Sequence, residues 1–394
     1  MKNNIYKRIV GPFSDFFKAE SASGLMLLFC ALIAMVIANS RLAGAYDHIL
    51  HTNITVGYKE FSLSLSILHW INDGLMAVFF LVVGMEIKRE MAIGELKSVK
   101  KTLLPITAAI GGMLVPAVIY ALFNYREPTI TGWGIPMATD IAFALGVLSL
   151  AAKRAPKGIV VFLTALAIVD DLGAIVVIAL FYTHRISWLA LAAGAVVFAG
   201  LLLANRLKVK YLAVFVMGGV LLWVCLQKSG VHATIAGVLL GMALPAGKNE
   251  DEHKTSMLHK LEHALAPWSA FVIMPVFALA NSGVAIDMGN LTALILTPVS
   301  LGIIFGLFAG KQLGIFGFSY LLIKLKIASL PSRVTKRHLY GASVLGGIGF
   351  TMSLFISSLS FSDAISLSTA KIAIMTASVL AAVAGTLIFK FINS

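Results

Sequence analysis

The sequence predicts an all-α polytopic membrane protein with twelve transmembrane helices, and three observations support this. Of its 394 residues, 59% are hydrophobic and only 12% are charged, about half the charge of an ordinary soluble domain. The mean hydropathy is +0.92. The apolar residues also gather into uncharged runs of about 20 residues, the length a helix needs to cross the hydrocarbon core. This composition excludes a disulfide-rich secreted scaffold, a nucleic-acid reader and a cytosolic enzyme. The net charge of +13 is read as cytoplasmic loops, not as a nucleic-acid footprint. Cys30 and Cys225 sit inside apolar runs without metal-ligand spacing and read as small buried hydrophobes. Nothing divides the chain, so residues 1–394 are expected to form one integral membrane domain.

The runs lie near 21–40, 66–86, 102–123, 131–152, 158–182, 186–205, 211–228, 230–246, 262–283, 295–323, 338–360 and 368–389. The first ends at Ala38-Asn39-Ser40 like a signal-peptide core, but eleven further spans follow, so it reads as an anchor. Twelve spans put both termini on one side. With the termini inside, the outer segments hold six cations: Arg41, Lys59, Arg126, Arg185, Lys228 and Lys371. Lys311 falls within a span, and the other 24 of the 31 Lys and Arg residues are inside. Lys88, Arg89, Lys97, Lys100 and Lys101 share one inner loop, and Lys324, Lys326, Arg333, Lys336 and Arg337 share another. This positive-inside bias makes both termini cytoplasmic. After the first span, Ile54, Val56 and Tyr58 alternate with small or polar residues. Phe61, Leu63 and Leu65 then alternate with serines beyond Gly57-Tyr58-Lys59-Glu60. The pattern predicts a short β-hairpin on the outer face. An isolated hairpin is marginal in water. Residues 45–65 are therefore either a loop cap or the contact of a homodimer.

Ionisable groups inside spans are costly and functional by default. The second span holds Asp73 and Glu86, the fourth Asp140, the fifth Asp170 and Asp171, the eighth His232 and the tenth Lys311. Glu86 begins Glu-Ile-Lys-Arg-Glu, so it is either a solvated helix end or functional. Asp73 suits a cap, and His232 suits either a packing role or a functional one. Asp170-Asp171 is different, because twelve uncharged residues precede the pair and twelve follow, placing it near the midplane. Adjacent helical residues point about 100° apart, so both acids can face one cavity. Two carboxylates crowded in low dielectric cannot both ionise freely. Such a site holds a proton or a cation but not both, which is the minimum chemistry of a proton/cation exchanger. Lys311 is the natural partner of these acids, since a buried ammonium must pair. Around it Gly302, Gly306, Gly310 and Gly314 recur every fourth residue, letting another helix approach closely.

Two spans look broken. The fourth carries Gly134 and Pro136 just before Thr139 and Asp140, and the eleventh carries Gly346, Gly347 and Gly349. Breaks at membrane depth are tolerated where the freed backbone lines a cavity. Spans 3–5 begin inside, spans 10–12 begin outside, and each trio has its interrupted helix in the middle. That is the pattern of an inverted-topology repeat with a midplane ion site.

Six stretches then converge: Asn-Asp-Gly-Leu-Met-Ala-Val-Phe-Phe (72–80), Ala-Thr-Asp-Ile-Ala-Phe-Ala-Leu-Gly (138–146), Ala-Ile-Val-Asp-Asp-Leu-Gly-Ala (167–174), Ser-Gly-Val-His-Ala-Thr (229–234), Gly-Lys-Gln-Leu-Gly (310–314) and Gly-Ile-Gly-Phe-Thr-Met-Ser (347–353). Over essentially the whole chain they resemble the NhaA family of bacterial sodium/proton antiporters, one of the handful of folds from which the inverted-repeat rule was drawn. The resemblance implies a pH-regulated, electrogenic secondary transporter of the inner membrane. It would exchange cytoplasmic sodium or lithium for external protons and need no cofactor beyond these ions. Asp171 resembles the essential cation-binding carboxylate, with Asp170 either in the site or ion-paired to Lys311, and Thr139 adding an oxygen. Asp140 would balance the positive helix ends at the crossing, and Lys311 the negative ends or the second proton. Glu86, Glu90, Glu262, His263 and His232 fall where the family places pH-responsive groups or a helix contact. Ala266 stands where some relatives carry histidine.

Two rival classes fit less well. A passive cation channel accommodates the acids but not the buried lysine or the paired broken helices. An intramembrane aspartyl protease would bring its two acids from facing helices, whereas here they are consecutive. Besides sodium and protons, the expected partners are membrane lipid and a second copy of the chain, and no nucleic acid.

Overall fold

Lipid offers no hydrogen-bond partners, so a spanning chain must satisfy its own backbone. In the computed structural model the apolar runs are helices almost throughout. The structure describes residues 20–57, 63–94, 99–151, 156–183, 186–247, 249–286, 289, 291–331 and 333–393. Tyr58, Lys59, Glu60 and Phe61 of the expected hairpin, Lys97, Arg185 and both chain termini lie outside the described residues.

Helix α1 (Glu20–Ala38) bends by 112° into α2 (Ala43–His51). Strands β1 (Asn53–Val56) and β2 (Leu63–Ser66) pair antiparallel, with Asn53 opposite Ser66 and Val56 opposite Leu63. Then come α3 (Ile67–Ala92), α4 (Val99–Phe123) and a 3-10 helix (Pro128–Met137) that leads into α5 (Ile141–Ala151). They are followed by α6 (Lys157–Phe181), α7 (Trp188–Arg206), α8 (Leu212–Ser229), α9 (Ile235–Ala243), α10 (Glu250–Thr255) and α11 (Met257–Asn281). The chain closes with α12 (Leu291–Ile295), α13 (Pro298–Lys324), α14 (Lys336–Leu345), α15 (Phe350–Ser360) and α16 (Ala364–Asn393).

Among the described residues, eight helices are long and apolar enough to cross a membrane, or up to eleven if each of three bent pairs is one span. The difference from twelve lies at the expected eighth span. Gly230 adopts φ 84° and ends α8, a turn that favours glycine. The following α9 has nine residues, about 14 Å at 1.5 Å per residue, or half the hydrocarbon core.

The two expected breaks are present. Pro136 supplies no N–H, and the stretch ending at Met137 winds as a 3-10 helix, after which Ala138 is extended. The chain restarts as α5 at an angle of 46°, and α14 and α15 meet at 44°. The stripe of glycines on α13 lies against α4. A Cβ at Gly310 would sit 2.9 Å from the Cα of Pro116, and one at Gly314 would strike the backbone of Gly111. At this contact α13 widens into π-helical turns, Gly306–Gly310 and Gln312–Phe316, on either side of Lys311. Such turns recur where a helix re-aims a side chain. Asp363 heads α16 by accepting from the Ser366 N–H at 2.7 Å, and these hydrogen bonds hold its carboxyl below the usual carboxylate range.

Candidate cation site

The two broken spans meet at their interruptions. The Asp140 N–H donates to the Ile348 carbonyl at 2.7 Å. Glycine is needed beside it, because a Cβ at Gly347 would stand 2.5 Å from the Leu307 carbonyl oxygen. The crossing leaves the N-termini of α5 and α15 facing one carboxylate. Asp140 Oδ1 accepts from the Phe143 N–H at 3.0 Å, and Oδ2 accepts from the Thr351 N–H at 3.2 Å and from the Thr351 hydroxyl. An anion at two helix N-termini is favourable. Both oxygens of Asp140, expected among the cation- and proton-binding residues, are hydrogen-bonded at the crossing.

Asp170 and Asp171 are both buried at the middle of α6. Lys311, with no exposed surface, reaches in from α13, and its Nζ lies 2.5 Å from Asp170 Oδ2. Of the two roles open to Asp170, the geometry has the ion pair. The Thr139 hydroxyl lies 2.7 Å from the same Oδ2 and 2.9 Å from the Gly346 carbonyl oxygen, and its single proton serves one of them at a time. Thr139 thus attends Asp170 and ties it to the second broken span. Asp171 is left differently. Among the described residues it has no donor within hydrogen-bond reach, and its Oδ1, like Asp170 Oδ1, is a buried oxygen without a partner. A buried polar atom is normally paired. Two such oxygens on neighbouring carboxylates suit a proton or a hard cation, which takes oxygen ligands.

A second cluster forms where the ends of α3 and α11 meet. Arg89 is its hub: its guanidinium bonds Glu262 and Glu90 (3.2 Å) and reaches Glu86 at 3.5 Å. Sequence reasoning named the three glutamates but left Arg89 among the loop cations. The signal was the Glu86/Arg89 spacing of one helical turn. Lys88, also counted as a loop charge, donates to the carbonyls of Met242 (2.7 Å) and Leu244 at the end of α9. His263 stacks on His259 at 6.1 Å, and His259 meets His253 at 5.1 Å. Burial, then the nearby His259 and Arg89, push the His253 imidazole below its ordinary value, so it stays neutral at pH 7. His232 does not join this cluster. Its Nε2 lies 2.8 Å from the Tyr182 carbonyl at the far end of α6, and the Tyr182 hydroxyl in turn donates to the Thr131 carbonyl at 2.8 Å and accepts from the Gly134 N–H at 3.2 Å.

The sequence profile described as Na+/H+ antiporter 1 matches residues 14–389. The chain belongs to that family. This antiporter is 69% identical over 393 residues to Na(+)/H(+) antiporter NhaA 2 of Clostridium beijerinckii, covering 100% of this chain and 97% of the other. It is 50% identical over 377 residues to Na(+)/H(+) antiporter NhaA of Bordetella parapertussis, 94% of each chain. Among solved structures, the sodium proton antiporter MjNhaP1 from Methanocaldococcus jannaschii at pH 8 aligns with a TM-score of 0.58, covering 95% of this chain and 93% of that one. At 16% identity this is a likeness of fold. The antiporter is a multi-pass membrane transporter, not an enzyme, which disposes of the protease reading.

Proposed function

We propose that this sodium/proton antiporter alternates sodium, or lithium, with protons at Asp171, moving the cation out of the cytoplasm against inward protons. One observation carries the reading. In the buried cluster Asp170 is ion-paired to Lys311 and Asp140 is hydrogen-bonded by two helix N-termini, whereas Asp171, within the electrostatic reach of Lys311, makes no ion pair and has no hydrogen-bond donor among the described residues. An unpaired buried carboxylate is costly. A proton or a cation removes that cost, and each excludes the other. Asp170 Oδ1, on the adjacent residue, and the Thr139 hydroxyl, hydrogen-bonded to Asp170, are further oxygens of the cluster. If Asp171 alone exchanged, one charge would pass each way and the cycle would be electroneutral. A second proton, released by the Asp170–Lys311 pair as the cation draws Asp170 away, makes the cycle electrogenic. Each net charge then couples to the membrane potential at about 2.3 kcal/mol per 100 mV.

In everted vesicles, sodium and lithium but not choline are expected to dissipate an inside-acid proton gradient, at rates that change when the potential is clamped at different values. Sodium-independent decay would overturn the exchange site, and voltage-independent rates would overturn the second proton.

The same reading gives twelve spans in a bacterial inner membrane with both termini cytoplasmic, supported by the distribution of Lys and Arg. Residues 230–246, α9 with its flanks, serve as the eighth span. Spans 3–5 and 10–12 form the inverted repeat, supported by the two bent spans that cross at Asp140. Strand β1, exposed along its length, and its partner β2 are the contact of a homodimer, and the whole chain acts as one transport domain.

The Arg89 cluster sets the pH response. Three glutamates around one guanidinium change their pairing as protons bind, and they couple the end of α3 to α11. Glu262→Gln is expected to shift the pH profile of exchange while leaving the best attainable rate largely intact. An unchanged profile would reduce the cluster to solvated end charges.

A further inference from the structure

At the pole opposite Asp363, the ends of α13 and α16 and the start of α14 form an open groove of about 470 Å³ lined by Phe316, Lys336, Arg337, Tyr340, Ile388 and Phe391, among others. Its chemistry is two-sided. One wall is cationic and aromatic: Lys336 Nζ stands 4.8 Å over the Tyr320 ring, Phe316 stacks on Tyr320 at 5.8 Å, and Tyr340 meets Phe316 edge-on at 5.5 Å. The other wall is the last turn of α16, where Phe391 is 79% exposed on a helix otherwise apolar enough to span a membrane. Charge on the last three spans is one-sided at this pole. Lys324, Lys326, Arg333, Lys336, Arg337 and Lys390 cluster in sequence at the ends of the three helices, and from residue 288 onward the only Asp or Glu is Asp363, which heads α16 at its far end.

A soluble anion would explain the cations but not the apolar rim, and an acyl chain would explain the rim but not the cations. We propose that this groove binds an anionic phospholipid, its phosphate between Lys336 and Arg337 and an acyl chain along Ile388 and Phe391. Basic pockets between spanning helices, with aromatic residues at headgroup level, are the expected form of such a site. Its position matters to the rest of the molecule. Phe316 lies little more than one helical turn beyond Lys311 on α13, and α14 leads directly to Gly346. A lipid held here ties together the ends of the two helices that deliver Lys311 and the second broken span. The inference stands apart from which aspartate exchanges.

The test uses purified full-length protein, stripped of lipid in uncharged detergent and offered equal amounts of phosphatidylglycerol and phosphatidylcholine. Retained lipids are counted by native mass spectrometry. Wild type is expected to keep phosphatidylglycerol in preference. Lys336→Gln/Arg337→Gln should weaken that retention about 25-fold, at about fivefold per cation near a headgroup. Lys208→Gln/Lys210→Gln removes the same charge from the loop between α7 and α8 and should retain the lipid. Phe391→Asp, at an exposed position that does not disturb the core, should lose it. Equal retention by wild type and the Lys336/Arg337 variant would overturn the site, as would equal loss in both double variants, which would indicate surface attraction alone.

Discussion

Asp171→Asn is expected to insert and fold normally yet show no sodium-driven proton movement at any pH. The amide keeps the volume and one oxygen but removes both the charge and the titratable proton, so nothing remains for cation and proton to compete over. Because wild-type Asp171 is buried without a donor among the described residues, neutralising it removes a desolvation cost, and the variant should unfold no earlier than wild type. Asp170→Asn behaves in the opposite sense. It leaves the Lys311 ammonium without its carboxylate, so stability falls while partial exchange survives at Asp171. Measurable coupled transport by purified Asp171→Asn in liposomes would sink the assignment.

Lys311→Ala is the second large effect. The Nζ of Lys311 lies 2.5 Å from Asp170 in a site closed to solvent, and breaking a buried pair by removing one partner costs roughly 3–5 kcal/mol. Thermal unfolding in detergent should fall well below wild type. Lys311→Arg keeps the charge and most of the stability. The longer, planar guanidinium cannot reproduce a single-point contact, so exchange suffers more than folding does. An alanine variant that melts with wild type would end the ion-pair reading, whatever happens to transport.

The broken helices were legible because their causes are local. Pro136 lacks an N–H wherever it sits, and the glycines from Gly346 to Gly349 weaken any helix that contains them. The Asp170-Asp171 pair was legible because two carboxylates in the middle of a 25-residue apolar helix have no bland explanation. The short helix within the expected eighth span was not legible for a related reason. Residues 230–246 are as apolar as their neighbours, but the Gly230 turn and the bend at Leu244 leave only nine residues helical. Arg89 was overlooked because sequence shows a guanidinium among loop cations and not the Glu262 brought to it from 173 residues away.

By itself the sequence determined the membrane class, the positions of most spans, the two interruptions and the identity of the midplane acids. Each follows from composition or from the behaviour of a few consecutive residues. Only the tertiary structure decided what each acid pairs with. Neighbours on a helix differ by about 100° in direction, so nothing in Asp170-Asp171 says which one meets Lys311, 141 residues away. Nor could spacing show that Thr139 serves Asp170 and the Gly346 carbonyl, or that Asp140 closes two helix N-termini by reaching Thr351 across 211 residues. Those roles depend on where α13 and the second broken span pack against α6. Packing is a property of surfaces from remote segments, and no local pattern encodes it.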